Sequence, residues 1–238
     1  MKSNAVKIIL CTFFFIGGMM FARAMQVDYI SFKPSVGAFS LSADGRVATI
    51  CVDTADYKGV RLAARNLGTD IGRVTGTAAD VSMSSPSKRG VVVAGTIGRN
   101  RQIDEWVKQG KLDVSAIEGK WESYLIQTVD GNLVIAGSDK RGTIFGIYDL
   151  SEKIGVSPWH YFADVPAQRH AALYVKPGRY VQDSPKVKYR GIFLNDEWPS
   201  LGGWASKKFG GFNSRFYAHV FELLLRLKAN YMWPAMWA

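Results

Sequence analysis

The sequence predicts an α/β protein: an amino-terminal α/β layer domain followed by the first strand-helix-strand of a (β/α)8 TIM barrel, truncated. Three observations predict it. Strand-like apolar runs alternate with segments of helical periodicity from Val47 to Val181, the pattern of layered α/β domains. Asp130-Gly131 separates two apolar runs, a strong hairpin signal within that alternation. Finally, Lys188 to Glu197 is an apolar run ending in an amide and two carboxylates; a helical segment, Asn213 to Lys228, and a second strand-like run, Asn230 to Trp237, follow it. Strand, loop, helix, strand, with polar or aromatic groups at both strand ends, is the opening of a barrel whose chemistry sits at that face. A whole barrel takes roughly 250 residues. Only 51 run from Lys188 to Ala238, so an incomplete barrel is expected.

Taken in order, residues 1–24 read as a signal peptide: basic Lys2 and Lys7, an apolar run from Ile8 to Phe21, and small residues at Ala22-Arg23-Ala24. The apolar run falls short of the about 20 residues a membrane span needs, so a cleaved signal and secretion or periplasmic export are expected. Its removal leaves 27 basic against 20 acidic residues and Cys51 as the sole cysteine. No internal disulfide is then expected, and stability must come from a packed core.

The α/β domain is expected over residues 26–182. Val47 to Val52 reads as a strand, and Val60, Ala63, Ala64, Leu67 and Ile71 form a helical stripe ending at Gly72 or Gly76. Thr77 to Gly90 is small, polar and Pro-interrupted, and reads as a loop. Gly90 to Gly95 is a short apolar strand of the kind buried on both faces. A helix follows from Asn100 with Ile103, Trp106 and Val107; the hairpin strands are Ser123 to Val129 and Asn132 to Gly137. Arg141 to Lys153 reads as a helix, Val156 to Val165 as an aromatic, Pro-punctuated stretch, and Ala172 to Val181 as one alternating strand. Gln182 to Lys186 is the boundary before the barrel start, residues 188–238. There Asn213 or Ser214 caps a helix striped by Phe216, Val220, Leu224 and Leu227, with Glu222 and Arg226 as an i to i+4 pair on its wet side.

Asn195-Asp196-Glu197 at a strand's carboxyl end suits bidentate binding of sugar hydroxyls or acid/base work on a glycosidic bond. The competing use is helix capping or pairing with Arg190, Lys207 or Lys208. Trp198, Trp204, Trp233 and Trp237 crowd beside them, and flat rings suit the C–H faces of sugars; Trp237 is placed nearest a ligand. Asp139 and Arg141, with Lys140, are candidates to reach a carboxylate-bearing ligand, and His160 lies in an aromatic loop bordering the site. Two Gly loops, from Gly95 and from Gly137, imitate nucleotide-binding turns, but Thr143 stands where a phosphate loop needs its Lys. No cofactor is expected, and the three histidines have no metal-ligand spacing. The basic balance favours anionic partners; with a secretion signal, that means acidic polysaccharide or an anionic cell surface rather than nucleic acid.

Arg190-Gly-Ile-Phe-Leu-Asn-Asp-Glu197, Lys208-Phe-Gly-Gly-Phe-Asn213 and His219 through Trp237 resemble glycoside hydrolase family 115, the xylan α-1,2-glucuronidases. Ala94 to Gly98, Ala136 to Thr143 and Ser157 to Pro166 are similar to that family's amino-terminal domain. The resemblance implies a secreted hydrolase that removes glucuronic acid or its 4-O-methyl form from glucuronoxylan with inversion. Its acid and base stand roughly 6.5–9.5 Å apart. It implies a general acid on a later barrel strand beyond Ala238, and maps Asp196 onto a substrate-orienting or water-positioning carboxylate, with Asn195, Glu197 and Trp237 next in line. It also implies possible homo-oligomers of the full-length form. The alternative is a non-catalytic carbohydrate-binding or docking fragment.

Overall fold

The computed structural model describes residues 28–86, 89–195 and 198–234. The expected signal peptide, Asp196, Glu197 and Trp237 lie outside the described residues. At the centre is a six-stranded sheet in the order β10-β7-β8-β6-β4-β5. β4 (Ile50–Cys51), β5 (Val81–Ser82), β6 (Val92–Thr96) and β8 (Asn132–Gly137) run parallel. β7 (Tyr124–Val129) pairs antiparallel with β8 and with β10 (Arg179–Gln182). The hairpin stands where Asp130-Gly131 predicts it, both residues at positive φ.

Helices cover both faces, so β6 and β8 are buried throughout. On one face α1 (Lys58–Thr75) and α3 (Lys140–Lys153) bring Val60, Leu67, Ile71 and Phe145 against Val92, Ile126 and Ile135. On the other, α2 (Arg101–Lys108) sets Ile103 and Trp106 against the alternate residues Val93, Leu125 and Val134. Each CH₂ so buried is worth about 0.8 kcal/mol, and this two-sided burial makes the strands read as unbroken apolar runs.

A second, antiparallel sheet, β1-β9-β2-β3, escaped the sequence reading: β1 (Ile30–Ser31), β2 (Phe39–Ala43), β3 (Arg46–Val47) and β9 (Leu173–Val175). It divides both of the long strands expected from the sequence. Val47 pairs with Ser42, while Ile50 pairs with Val81 and Val92 in the central sheet. Likewise Ala172 to Val181 breaks at Pro177-Gly178 into β9 and β10, one in each sheet. Pro177 lacks an amide donor. An alternating pattern specifies a buried face, not the sheet that supplies it. The expected loop Thr77 to Gly90 holds the edge strand β5, drawn close because α1 turns glycines toward it. A Cβ at Gly68 would stand 2.7 Å from the Ala79 carbonyl oxygen.

Beyond residue 190, β11 (Gly191–Phe193) and β12 (Tyr231–Trp233) pair parallel, connected by α4 (Leu201–Phe209) and α5 (Ser214–Arg226). The sequence announces α5 through its stripe and through Asn213, whose side chain accepts from the Arg215 and Phe216 amides. It does not announce α4, whose Gly202-Gly203 lowers helix propensity. The Trp198 ring requires that glycine, since a Cβ at Gly202 would meet it at 2.6 Å. Ala205, Phe209, Phe216, Val220 and Leu224 form a third core, closed by Tyr161 and Phe162 from the aromatic loop. The wet side expected for Glu222 and Arg226 is corrected: the Arg226 side chain is 2% exposed and reaches Asp70 of α1 at 2.8 Å. Among the described residues no helix is long and apolar enough to cross a membrane.

Candidate active site

β11 and β12 pair in register, Gly191 with Tyr231, Ile192 with Met232 and Phe193 with Trp233, and the Leu194 amide donates to the Trp233 carbonyl at 2.8 Å. Side chains alternate across this ribbon. Ile192 and Met232 pack onto the third core. Phe193 and Trp233 point to the opposite face, about half exposed, with their rings edge to face at 5.4 Å. The strands therefore end in an open aromatic face, and β11 runs directly into Asn195. Trp198 is 68% exposed beside it. Trp204 takes the other role open to a tryptophan, packing against Phe162, Phe209 and Phe216. Open rings next to an amide and, in sequence, two carboxylates provide stacking and hydrogen-bonding chemistry for a sugar.

The remaining candidates are held elsewhere. Asp139 caps α3, accepting from the Gly142 amide at 2.7 Å and the Glu122 amide at 3.0 Å. Arg141 donates from Nε to the buried Glu122 carboxylate. Glu122 also binds Arg190 and Asn230, the residues just before β11 and β12. Arg141 thus stands at the opposite end of the two strands from Asn195. His160 lines a cavity of about 370 Å³ with Arg73, Asp164 and Arg169. Burial, then the nearby Arg226 and Arg73 guanidinium groups, hold its imidazole below the usual value and favour the neutral form. The loop bearing it packs on α4 and α5: Tyr161 stacks on His219 at 3.8 Å, and Lys208 lies over the Tyr161 ring at 4.6 Å.

The Gly loops prove to be tight turns. A Cβ at Gly95 would stand 2.5 Å from Asn100 Cβ, and one at Gly137 would stand 2.1 Å from the Thr143 amide nitrogen. At these carboxyl ends of the central strands, where open α/β sheets bind ligands, the polar groups bond to one another. Asp56 accepts from the Thr96 amide at 2.7 Å and hydroxyl at 2.9 Å, and the Thr96 and Thr143 hydroxyls meet at 2.8 Å. Burial raises the Asp56 carboxyl above its ordinary value against the pull of these bonds. Asp53 is held by Arg101 Nε at 3.0 Å. Among the described residues no group of three or more His, Cys, Asp or Glu has the arrangement of a metal site.

Sequence reasoning missed the charged contacts that join the α/β domain to the last fifty residues. Besides the Glu122 cluster, Arg226 binds Asp70, and Lys228 donates to Asp149 at 2.7 Å while Tyr29 donates to the same carboxylate at 2.8 Å. None has a local signal, because the paired residues lie 68 to 156 positions apart.

Fold and strand ends together define an α/β protein with helices on both faces of its main sheet, leading into a parallel strand-helix-helix-strand unit with aromatic ends. The family model for glycosyl hydrolase family 115 matches residues 182–238, a range that includes the strands and helices of that second unit. The solved structure of BtGH115A, described as a family GH115 4-O-methyl-α-glucuronidase with specificity for decorated arabinogalactans, is similar at 33% identity and a TM-score of 0.70. The similarity covers 83% of this chain and 26% of that one. The chain belongs to glycoside hydrolase family 115 and spans about a quarter of the length of that relative. Looser likenesses reach family GH20 enzymes: the Flavobacterium johnsoniae chitobiase (13% identity, TM-score 0.47, 87% of this chain and 26% of that one) and the Vibrio harveyi exo-β-N-acetylglucosaminidase (14%, 0.46, 87% and 24%). No curated protein matches the chain.

Proposed function

We propose that this chain is the amino-terminal portion of a secreted α-glucuronidase that removes glucuronic acid, or its 4-O-methyl form, from the side chains of glucuronoxylan. The single observation behind this is its likeness to the 4-O-methyl-α-glucuronidase BtGH115A across 83% of the chain. The reaction inverts configuration: one carboxylic acid protonates the leaving oxygen while a carboxylate activates water on the other face of the ring. β11 and β12 open the catalytic (β/α)8 barrel, and the general acid stands on a later strand. Asp196 orients substrate or positions the water, supported by Asn195 and Glu197, and Trp237 flanks the sugar. The excess of basic residues, 27 against 20 once residues 1–24 are removed, suits an anionic polysaccharide. Asp139, Arg141 and His160 stand one step back, their polar groups engaged by capping, by Glu122 and by the aromatic loop.

A second reading of the substrate rests on the specificity stated for BtGH115A, decorated arabinogalactans. Release of glucuronic acid, followed by chromatography from both 4-O-methylglucuronoxylan and glucuronic-acid-decorated arabinogalactan, separates the two. The 238-residue chain alone is expected to release none from either. In a longer chain carrying the later strands, Asp196→Ala is expected to cut kcat by about 10²-fold, the cost of a misplaced reacting group. Release by the 238-residue chain that Asp196→Ala abolishes refutes the placement of the general acid. No release from either polysaccharide by the longer chain refutes the α-glucuronidase reading.

A further inference from the structure

We infer that Glu122, inside the α/β domain, is a positioning residue for β11 and β12: it locks the starts of both strands, and so places the ends that carry Asn195 and Trp233. Its side chain is fully buried and its backbone sits at φ 55°, an uncommon conformation for a residue other than glycine. Three donors converge on its carboxylate. Arg141 comes from α3, Arg190 directly precedes β11, and Asn230 directly precedes β12, donating from Nδ2 at 2.8 Å. The two strand entrances are then tied to each other. Arg190 N donates to Asn230 Oδ1 at 3.1 Å, and the Arg190 carbonyl accepts from the Asn230 and Tyr231 amides at 2.8 and 3.0 Å. The Arg190 guanidinium donates twice more, to the Lys228 carbonyl at 2.9 and 2.7 Å.

The ribbon needs such an anchor. It has three register pairs, and a two-stranded ribbon is marginal by itself in water. A slip of one residue in β11 would turn Phe193 into the core and Ile192 out of it, and a slip in β12 would do the same to Trp233 and Met232. The α/β domain therefore builds part of the strand pair's geometry. The chemistry also requires a carboxylate. Two guanidinium groups and an amide need two acceptor oxygens and negative charge, and a glutamine supplies one oxygen and sets its own N–H₂ against a cation.

The consequence for catalysis rests on the α-glucuronidase reading; the structural claim does not. The test is amide hydrogen exchange by mass spectrometry on the 238-residue chain and its Glu122→Gln variant. Peptides over 190–195 and 230–234 are expected to exchange about tenfold faster in the variant, with those of β6, β8 and α1 within about twofold, the mark of a local opening. Unchanged exchange in β11 and β12 overturns the inference. So does equal acceleration throughout, which would make Glu122 a general stabiliser. If Glu122→Gln does not fold, Asn230→Ala, which removes one donor to Glu122 and the acceptor for Arg190 N, is read in the same way. In the proposed hydrolase, Glu122→Gln is expected to lower kcat while leaving KM near its original value. A kcat loss without local loosening keeps the α-glucuronidase reading and sinks the positioning role. Local loosening in a longer chain that releases no glucuronic acid does the reverse.

Discussion

Arg226 shares one charge between two carboxylates, Asp70 at 2.8 Å and Glu222 at 2.9 Å, with Tyr148 stacked beneath its guanidinium at 4.6 Å. Among the described residues its Nη2 has no hydrogen-bond partner. Without the Asp70 charge, the buried guanidinium keeps only the partly exposed Glu222 as a counter-ion, and losing one buried charge-assisted bond in this way costs about 1–3 kcal/mol. Asp70→Asn is expected to lower the unfolding free energy by about that much, read from urea denaturation. Glu122 makes its prediction in pH. Burial alone would raise its carboxyl, but the bonds from Asn230, Arg190 and Arg141 outweigh burial and hold it below the ordinary value. A depressed folded-state value means that the stabilisation is complete above the unfolded value of about 4.3 and is lost as pH falls through the lower folded one. The acid limb of stability against pH is expected to flatten in Glu122→Gln, measured by urea unfolding from about pH 5 downward. The sequence shows that Glu222 and Arg226 can meet along one helix, because spacing alone decides it. It cannot show that Arg226 turns inward to Asp70, because that depends on α1 arriving from 156 residues away.

At the scale of elements, those with their own periodicity or caps were legible: α1, α2, α3, α5 and the β7-β8 hairpin stand close to where apolar spacing and turn residues put them. Those defined by a distant partner were not. β5, the small β1-β9-β2-β3 sheet and α4 are short or glycine-bearing, and exist because something packs on them. The strand-to-helix turns give a sharp test. A Cβ at Gly137 would meet the Thr143 amide nitrogen at 2.1 Å and Oγ1 at 2.2 Å. Backbone cannot yield cheaply there, and Gly137→Ala is expected to cost about 3 kcal/mol or more. Gly110 has nothing within 4 Å of its would-be Cβ, at φ 69°, so Gly110→Ala is expected to cost only about 1–2 kcal/mol, the price of the left-handed conformation. Thermal unfolding followed by circular dichroism compares the two.

For the whole molecule, three charged clusters, around Glu122, Asp70 and Asp149, join the α/β domain to the strand-helix-helix-strand unit, and Tyr161 and Phe162 cross the same divide to close the third core. So joined, the two are expected to unfold as one. Urea transitions of the 238-residue chain monitored by tryptophan fluorescence and by far-ultraviolet circular dichroism should coincide. Two separated transitions would mean that the contacts do not couple them. The candidate site was legible only as composition: Asn195, Asp196 and Glu197 at a strand end, with tryptophans nearby. Its neighbours were harder to sort. The same residue types, Asp139, Arg141 and His160, serve as cap, ion-pair partner and loop packing once the chain is folded.

The sequence by itself determined the α/β class, the hairpin, the periodic helices and, through the residues from Arg190 to Trp237, the family. These follow from short-range spacing and local turn chemistry, which every stretch of chain carries within itself. Only the tertiary structure decided which sheet takes each strand, that Arg226 is buried, and that Glu122 ties together the entrances of β11 and β12. Those outcomes depend on charges and backbone groups far apart in sequence, which must pair because burying them unpaired costs more than the fold can bear.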